Sequence, residues 1–183
     1  MKVLELRRHA AREKEADALT PEGRVQAEDL GRSLTHRFDV VFVSPARRAA
    51  ETAAWILRGA GHPVPDHAVV QGLVSDQEDR WRAAGKASHS SRLDALVLHE
   101  PGFIGDEVKR LTAVIEGLID RVPEGGRGLA VGHSPLLEAA VYGLTGAVIE
   151  PLKECEGVAL IRSDEEHPTF RLEELRRSRS VQT

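Results

Sequence analysis

Cysteine is nearly missing from this chain of 183 residues, in which Cys155 is the only one. A single cysteine excludes an internal disulfide and a zinc site built from cysteines. Long apolar runs are missing as well: no stretch approaches the roughly 20 residues that cross a bilayer, and the first residues do not form the apolar part of a secretory signal. We therefore expect a cytoplasmic protein in a reducing environment, without a membrane partner.

A large excess of charge of either sign is also missing. The chain has 25 Lys and Arg against 29 Asp and Glu, which gives a formal net charge of −4 at pH 7. This balance provides no general attraction to nucleic acid, so we expect no nucleic-acid partner. A hydrophobic content of 41% is ordinary for a folded protein. Together with the length, it predicts one domain with a sizeable core.

What the chain does contain is a regular alternation of apolar segments and helical patterns. Strands are predicted at residues 2–7, 38–43, 68–70, 128–132, 158–161 and 169–172. Helices are predicted at residues 21–36, 46–58, 92–100, 105–121 and 135–144. In the first helix Thr20 is the predicted cap, and the side chains expected to face the core are Val25, Leu30 and Leu34, with Ala27. This alternation predicts an α/β fold, a three-layer sandwich with a mostly parallel central sheet flanked by helices.

The predicted domain covers residues 1–175. Residues 74–105 are its least regular part, and we expect them to form a lid or side insert. Within them Glu78 and Asp79 are expected to be ordinary solvated loop charges. The tail at residues 176–183 is charged and polar, which predicts a flexible end.

The first predicted strand ends at Arg8-His9. Strand ends are where α/β proteins place their chemistry. The planar fork of arginine fits phosphate oxygens, and a neutral imidazole can act as a nucleophile. Taken alone this pair is a weak signal, and its meaning depends on what stands at the other strand ends.

Two further strand ends carry related residues. One is followed by Ser44-Pro45 and a helix that contains Arg48, and the other by His133-Ser134. In a parallel sheet these sites lie along one carboxyl edge with Arg8-His9, and the helices after Ser44 and Ser134 would direct their N-termini toward it, each serine serving as a cap. Two arginines, two histidines and two helix N-termini predict a pocket for a dianion.

The order and spacing of these motifs resemble the histidine phosphatase superfamily, whose members include phosphoglycerate mutases and acid phosphatases. That family carries Arg-His-Gly near its N-terminus, Arg-x-x-Glu/Gln-Thr after a Ser-Pro, and a late Gly/Ser-His. The matching segments here are Arg8-His9-Ala10, Arg48-Ala49-Ala50-Glu51-Thr52 and Gly132-His133-Ser134. The resemblance covers roughly residues 2–145 and implies a phosphoglycerate mutase-like fold. Ala10 replaces the usual glycine, which requires a backbone conformation that accepts a Cβ.

The resemblance also implies roles for these residues. His9 would be the nucleophile, forming a phosphohistidine that water then hydrolyses. Arg8, Arg48 and a protonated His133, with Ser134 beside them, would bind the phosphoryl oxygens. Because the arginines supply the positive charge that a phosphoryl transition state needs, we expect no metal and no cofactor.

The proton donor for the leaving group is less clear from the sequence. Mutase-like relatives place a glutamate two residues after a leucine beyond the third strand, and here Leu73-Val74-Ser75 puts a serine at that position. Either Asp76 has taken the role of the general acid or the site has no dedicated acid. Both alternatives remain open at this point.

The serine in place of the family's glutamate indicates which substrate to expect. A site without a strong acid suits a leaving group that departs easily, such as the imidazole of phosphohistidine. The short chain and the missing glutamate resemble the small phosphohistidine phosphatase branch of the family, so a phosphohistidine-bearing protein is the expected partner. The alternatives are a broad phosphomonoesterase that acts on small phosphorylated metabolites, with Asp76 as acid, and a phospho-ligand binding module without turnover.

Overall fold

The computed structural model describes residues 1–63, 67–163 and 169–175. The strands in these ranges are β1 (Lys2–Arg8), β2 (Val40–Val43), β3 (His67–Val69), β4 (Arg127–Gly132), β5 (Gly157–Arg162) and β6 (Phe170–Leu175). The helices are α1 (Pro21–Ser33), α2 (Arg47–Gly59), α3 (Glu78–Ser88), α4 (Leu93–His99), α5 (Pro101–Asp120) and α6 (Leu136–Thr145), with a 3₁₀ turn at Gln71–Leu73. The predicted flexible tail at 176–183 lies outside the described residues.

The strands form one sheet in the order β3-β2-β4-β1-β5-β6. The first four are mutually parallel, whereas β5 runs antiparallel to β1 and β6 antiparallel to β5. The predicted α/β fold with a mostly parallel sheet is therefore confirmed. Because β2, β4 and β1 are neighbours, with Arg8 beside Gly132 and Val43 beside Val131, their carboxyl ends meet at one edge of the sheet.

Helices cover both faces of the sheet and bury two apolar clusters. One contains β2 and β4 side chains together with α1 and α2, and its members include Ala27, Val41, Ile56 and Val131. The other lies under α3, α4, α5 and α6, and its members include Phe42, Ile104, Ile115 and Leu137. This is the predicted three-layer arrangement.

The buried face predicted for α1 is wrong at Val25, whose side chain is exposed. The buried residues of α1 are small ones, Gly23, Ala27 and Gly31. A Cβ on Gly31 would stand 2.0 Å from the backbone oxygen of Ile56 in α2. The two helices approach so closely that their contact requires small residues, and the branched Val25 faces solvent instead.

Residues 74–105 contain more helix than predicted. In addition to α4, which was predicted, they hold α3, and α5 begins at Pro101 rather than at residue 105. Proline is well suited to the first turn of a helix because its missing N–H would have no partner there. Trp81 of α3 packs edge-to-face on Phe103 at 5.4 Å and donates to Glu107. These contacts attach α3 to α5. No helix in the described part of the chain is long and apolar enough to cross a membrane.

Candidate active site

His9 lies directly beyond the end of β1 and is almost fully buried. Its Nδ1 is 2.8 Å from the carbonyl oxygen of Ala10. Because a carbonyl can only accept, Nδ1 carries the hydrogen and the lone pair is on Nε2. Burial lowers the pKa of His9 to about 4, and the nearby cations Arg48 and Arg8 act in the same direction. The imidazole is therefore neutral at pH 7, as a nucleophile must be.

His133 follows β4, and its ring centroid is 5.2 Å from that of His9. Arg48 Nη2 lies 3.2 Å from His133 Nδ1, and Ser44 Oγ lies 2.7 Å from Nε2. Since a guanidinium only donates, Nδ1 accepts, and Nε2–H donates to the serine. Burial first, and then Arg48, lowers the pKa of His133 to about 3. The ring is therefore neutral in this structure, and the protonated His133 expected when a phosphoryl group is bound stays a prediction.

Ser44 differs from its predicted role. The N-cap residue of α2 is Ala46, which makes no side-chain capping hydrogen bond. Ser44 Oγ accepts only a long bond from the amide of Ala46 at 3.4 Å. Its main contact is with His133, from whose Nε2–H its hydroxyl accepts.

Both predicted phosphate-binding arginines reach the site. Arg8 Nη1 donates to the carbonyl oxygen of Leu152 at 2.7 Å, and Arg48 Nη1 donates to Asp17 Oδ1 at 2.6 Å. The Nε atoms of both arginines are buried, and no hydrogen-bond partner for either lies within the described ranges. Buried donors are nearly always paired in proteins. These two N–H groups therefore lack the partner that a buried donor normally has.

The side chains surround a pocket of about 280 Å³. Its lining comes from the ends of β1 and β4 and from α2, α3 and α6, and consists of Arg8, His9, Arg12, Arg48, Ser75, Glu78, Trp81, Arg82, His133, Ser134, Pro135 and Leu136. Four arginines against one glutamate give the lining a positive charge, which suits an anionic ligand. The structure thus brings together Arg8, His9, Arg48, His133 and Ser134.

The candidate acid Asp76 is not brought to the pocket. It is exposed and is not among the lining residues. Ser75, at the position of the family's glutamate, does line the pocket, but it is buried and hydrogen bonded to Glu107. The carboxylate in the lining is that of Glu78, in the first turn of α3. The expectation that Glu78 is an ordinary loop charge is therefore wrong, because an unpredicted helix directs it to the site.

The other residues of the Arg48 motif support the site. Thr52 Oγ1 donates to the carbonyl of Arg48 at 2.7 Å and accepts from the amide of Ala10 at 3.0 Å. Glu51 accepts from the amide of Leu19 at 2.8 Å. The loop after His9 is thus fastened to α2. Within the described residues, positive φ outside glycine occurs at His89 and Cys155, so Ala10 is accommodated without strain.

Sequence reasoning missed four residues of the site: Arg12, Asp17, Trp81 and Arg82. Asp17 lies in the polar loop between β1 and α1, where no periodicity or motif distinguishes it from Glu13 or Glu15. Only the fold brings it to Arg48. Trp81 and Arg82 belong to α3, and a helix prediction over residues 78–88 would have been the signal needed to find them. Within ranges 1–63, 67–163 and 169–175, no three or more His, Cys, Asp or Glu side chains are grouped to hold a metal ion.

Comparisons with known proteins agree with this geometry. No curated protein matches the chain in sequence. Among solved structures, a phosphoglycerate mutase from Bacillus anthracis has a TM-score of 0.71 at 18% identity, covering 94% of this chain and 92% of that one. A phosphoserine phosphatase mutant from Entamoeba histolytica has a TM-score of 0.66 at 18% identity, covering 93% and 95%. The protein histidine phosphatase SixA complexed with tungstate has a TM-score of 0.61 at 18% identity, covering 94% and 96%.

At these identities the structural likeness establishes the shared fold. The family model is more specific, because it matches residues 5–172, nearly the whole chain. That range includes all three motifs from which the site is built. The chain belongs to the histidine phosphatase superfamily, branch 1.

Proposed function

We propose that this protein is a phosphatase that hydrolyses small phosphomonoesters through a phosphohistidine formed on His9. The observation that carries the proposal is the state of His9. This ring is neutral, its Nδ1–H is held by a backbone carbonyl, and it lies in a pocket with Arg8, Arg48 and His133. A fixed, neutral imidazole beside unpaired guanidinium donors fits nucleophilic attack on a phosphoryl group.

The first step begins when a phosphoryl dianion enters this cluster. Its negative charge favours the protonated form of His133, because an opposite charge within a few ångströms stabilises an imidazolium. Nδ1–H of His133 and the guanidinium N–H groups of Arg8 and Arg48 then donate to the phosphoryl oxygens. His9 Nε2 attacks phosphorus as the bond to the ester oxygen breaks, and the leaving oxygen takes a proton from Glu78.

In the second step water hydrolyses the phosphohistidine. Water attacks phosphorus, the N–P bond breaks, and the carboxylate of Glu78 receives the proton that water loses. His9 returns to its neutral form and inorganic phosphate leaves. The residue that donates the proton in the first step thus regains it in the second.

Glu78 and α3 support a small phosphomonoester as the substrate. The sequence favoured phosphohistidine because it offered no acid in a defined place, and a glutamate in the pocket lining removes that reason. Trp81 and Arg82 of the same helix also line the pocket, which leaves about 280 Å³ for the substrate. A pocket of this volume suits a compact ligand.

The second candidate is a phosphohistidine protein phosphatase. Ser75 favours it, because the position that carries a glutamate in mutase-like relatives here holds a buried serine bonded to Glu107. The side chain of Glu78 is itself largely exposed, so it could point away from the substrate. A phosphoramidate would tolerate this, because its leaving group departs with little help from a general acid.

One comparison of substrates tests both candidates. The wild-type protein is assayed for phosphate release from a phosphohistidine-bearing protein, a sugar phosphate and p-nitrophenyl phosphate. We expect the highest kcat/KM among these on the small phosphomonoesters. A strong preference for the phosphohistidine protein would replace the first candidate by the second.

Trapping of the intermediate tests the shared chemistry. Rapid quenching with a ³²P-labelled substrate should give a labelled enzyme that is stable in alkali and labile in acid, as a phosphohistidine is, and His9→Ala should give none. A wild-type chain that binds the substrate but never becomes labelled would instead be a phospho-ligand binding module.

A further inference from the structure

The N-terminus of α2 is capped from outside the helix. Its N-cap residue, Ala46, has no side chain that can accept from the amides of the first turn, and unpaired first-turn amides are costly. Asp17, in the loop between β1 and α1, performs this role. Its Oδ2 accepts from the amide of Arg47 at 2.7 Å, and its Oδ1 lies 3.4 Å from the amide of Arg48.

The same carboxylate also holds the side chain of Arg48. Asp17 Oδ1 is 2.6 Å from Arg48 Nη1, while Arg48 Nη2 is 3.2 Å from His133 Nδ1. One guanidinium therefore bridges a carboxylate and a site histidine, and its plane is set by both. Although partial burial opposes ionisation, hydrogen bonds from Arg47 and Arg48 lower the pKa of Asp17, so the carboxylate is charged at pH 7.

The negative charge of Asp17 weakens the binding of an anionic ligand. Asp17 offsets part of the positive charge of Arg48 in a site that must attract a dianion. Its side chain is 46% exposed, so solvent screens it and the effect on affinity is modest. Weaker attraction acts on the phosphate product as well as on the substrate, and in a hydrolase it shortens the time that product occupies the site.

From this geometry we infer that Asp17 is a positioning residue, which orients the Arg48 guanidinium at the phosphoryl-binding site and at the same time weakens the binding of inorganic phosphate. The inference rests on the proposed function, in which Arg48 and His133 bind the phosphoryl group. It assigns a role in turnover to a loop residue that lies outside the family motifs quoted above.

The test is Asp17→Asn, which removes the charge and keeps the size of the side chain. We expect kcat on p-nitrophenyl phosphate to fall about 10-fold, because Arg48 is less well oriented. We expect the inhibition constant of inorganic phosphate to fall about 3-fold, which is tighter binding, because the opposing charge is gone. A capping residue with a structural role alone would lower stability and leave both constants of the folded enzyme unchanged.

Asp29→Asn is the matched control. Asp29 on α1 also pairs with an arginine, Arg32, at 2.6 Å, and is exposed. This control loses the same charge and the same kind of ion pair away from the pocket, so kcat and the phosphate constant should match the wild type. If Asp17→Asn behaves like this control, the inference is wrong.

A second background tests whether Asp17 acts through Arg48. In an Arg48→Lys enzyme, which cannot bridge Asp17 and His133 in the same way, Asp17→Asn should lower kcat much less than it does in the wild type, because coupled residues are not additive. An equal loss in both backgrounds would overturn the positioning role.

Calorimetric titration with inorganic phosphate separates this inference from the proposed function. Phosphate binding needs no turnover, so it can be measured even in a chain that hydrolyses no tested substrate. Tighter binding to Asp17→Asn than to the wild type supports the binding part of the inference in either case. Equal or weaker binding contradicts it.

Discussion

Two clusters of buried polar residues lie close together on β1 and its neighbours, and they differ in how their charges are balanced. The first, the Glu5 cluster, consists of Glu5, Arg7, His36 and Arg127. Glu5 is fully buried, and its carboxylate accepts from Arg7 and Arg127, each at 2.8 Å, with His36 Nε2 at 2.7 Å.

The second, the His9 site, consists of Arg8, His9, Arg48 and His133. There the Nε atoms of Arg8 and Arg48 are buried, and the part of the chain that the structure describes provides no hydrogen-bond partner for them.

The difference indicates which cluster is structural and which is a ligand site. A buried charge is tolerated when its partners are built into the fold, and in the Glu5 cluster they are. The His9 site has more positive charge than the described residues balance, which fits the anionic ligand of the proposed function. Arg7 and Arg8 are neighbours in sequence, but strand alternation sends them to opposite faces of β1 and so into these two different environments.

The largest expected effect is seen when one histidine is replaced in each cluster, His9 in the His9 site and His36 in the Glu5 cluster. His9→Ala should abolish phosphatase activity, because no other group takes its place as the phosphoryl acceptor. His36→Ala should leave kcat/KM unchanged and lower the midpoint of urea unfolding, because it removes a neighbour of Glu5. Both are measured by phosphate release and by urea titration. Activity that survives in His9→Ala would show that the nucleophile is misassigned.

Glu5→Gln should break the structural cluster alone. Removing the carboxylate leaves Arg7, which is almost fully buried, without a counter-charge, and breaking a buried ion pair costs about 3–5 kcal/mol. We expect the free energy of unfolding to fall by that amount, with kcat/KM of the folded enzyme unchanged. A comparable loss of kcat/KM without loss of stability would mean that the Glu5 cluster takes part in the chemistry.

Glu78→Gln sharpens the description of the His9 site, because it removes the proposed acid and leaves the phosphate-binding groups intact. We expect kcat/KM on a sugar phosphate, which reports formation of the phosphohistidine, to fall about 10²-fold, the lower end of the range for general acid catalysis. The loss of kcat/KM on p-nitrophenyl phosphate, whose leaving group needs no proton, should be much smaller. Asp76→Asn is measured in the same assays. A larger loss of activity in Asp76→Asn than in Glu78→Gln would indicate that Asp76 is the general acid.

The last expected effect is on stability at acid pH and not on activity at neutral pH. Burial lowers the pKa of His9 to about 4 and that of His133 to about 3, whereas 6.5 is the ordinary value and applies to the unfolded chain. Below pH 6.5 the unfolded chain therefore binds protons that the folded protein does not, so the free energy of unfolding decreases as the pH falls from 6.5 to about 4. His133→Asn should show a shallower decrease in urea titrations at several pH values. An unchanged slope would contradict a neutral, buried His133.

The sequence predicted those parts of the fold and site that depend on a local pattern, such as a helix cap or an apolar run. Thr20 accepts from the amide of Gly23, as a cap followed by proline indicates, and the apolar run of β2 is buried on both faces. The region after β3 was harder to predict. Helix α3 has no capping side chain at its start, and Trp81 and Phe103 stabilise it through a contact with each other that no local pattern contains.

By itself the sequence determined the alternation of strands and helices and the residues at three strand ends, and from these it indicated the family and predicted a phosphate-binding set of Arg8, His9, Arg48 and His133. These depend on local preferences and on spacing along the chain, which are properties of the sequence. Only the tertiary structure decided that His133 is neutral, that Glu78 replaces Asp76 in the pocket lining, and that Asp17 holds Arg48. Each of these depends on burial or on contacts between residues distant along the chain, and such contacts exist only once the sheet and its helices have come together.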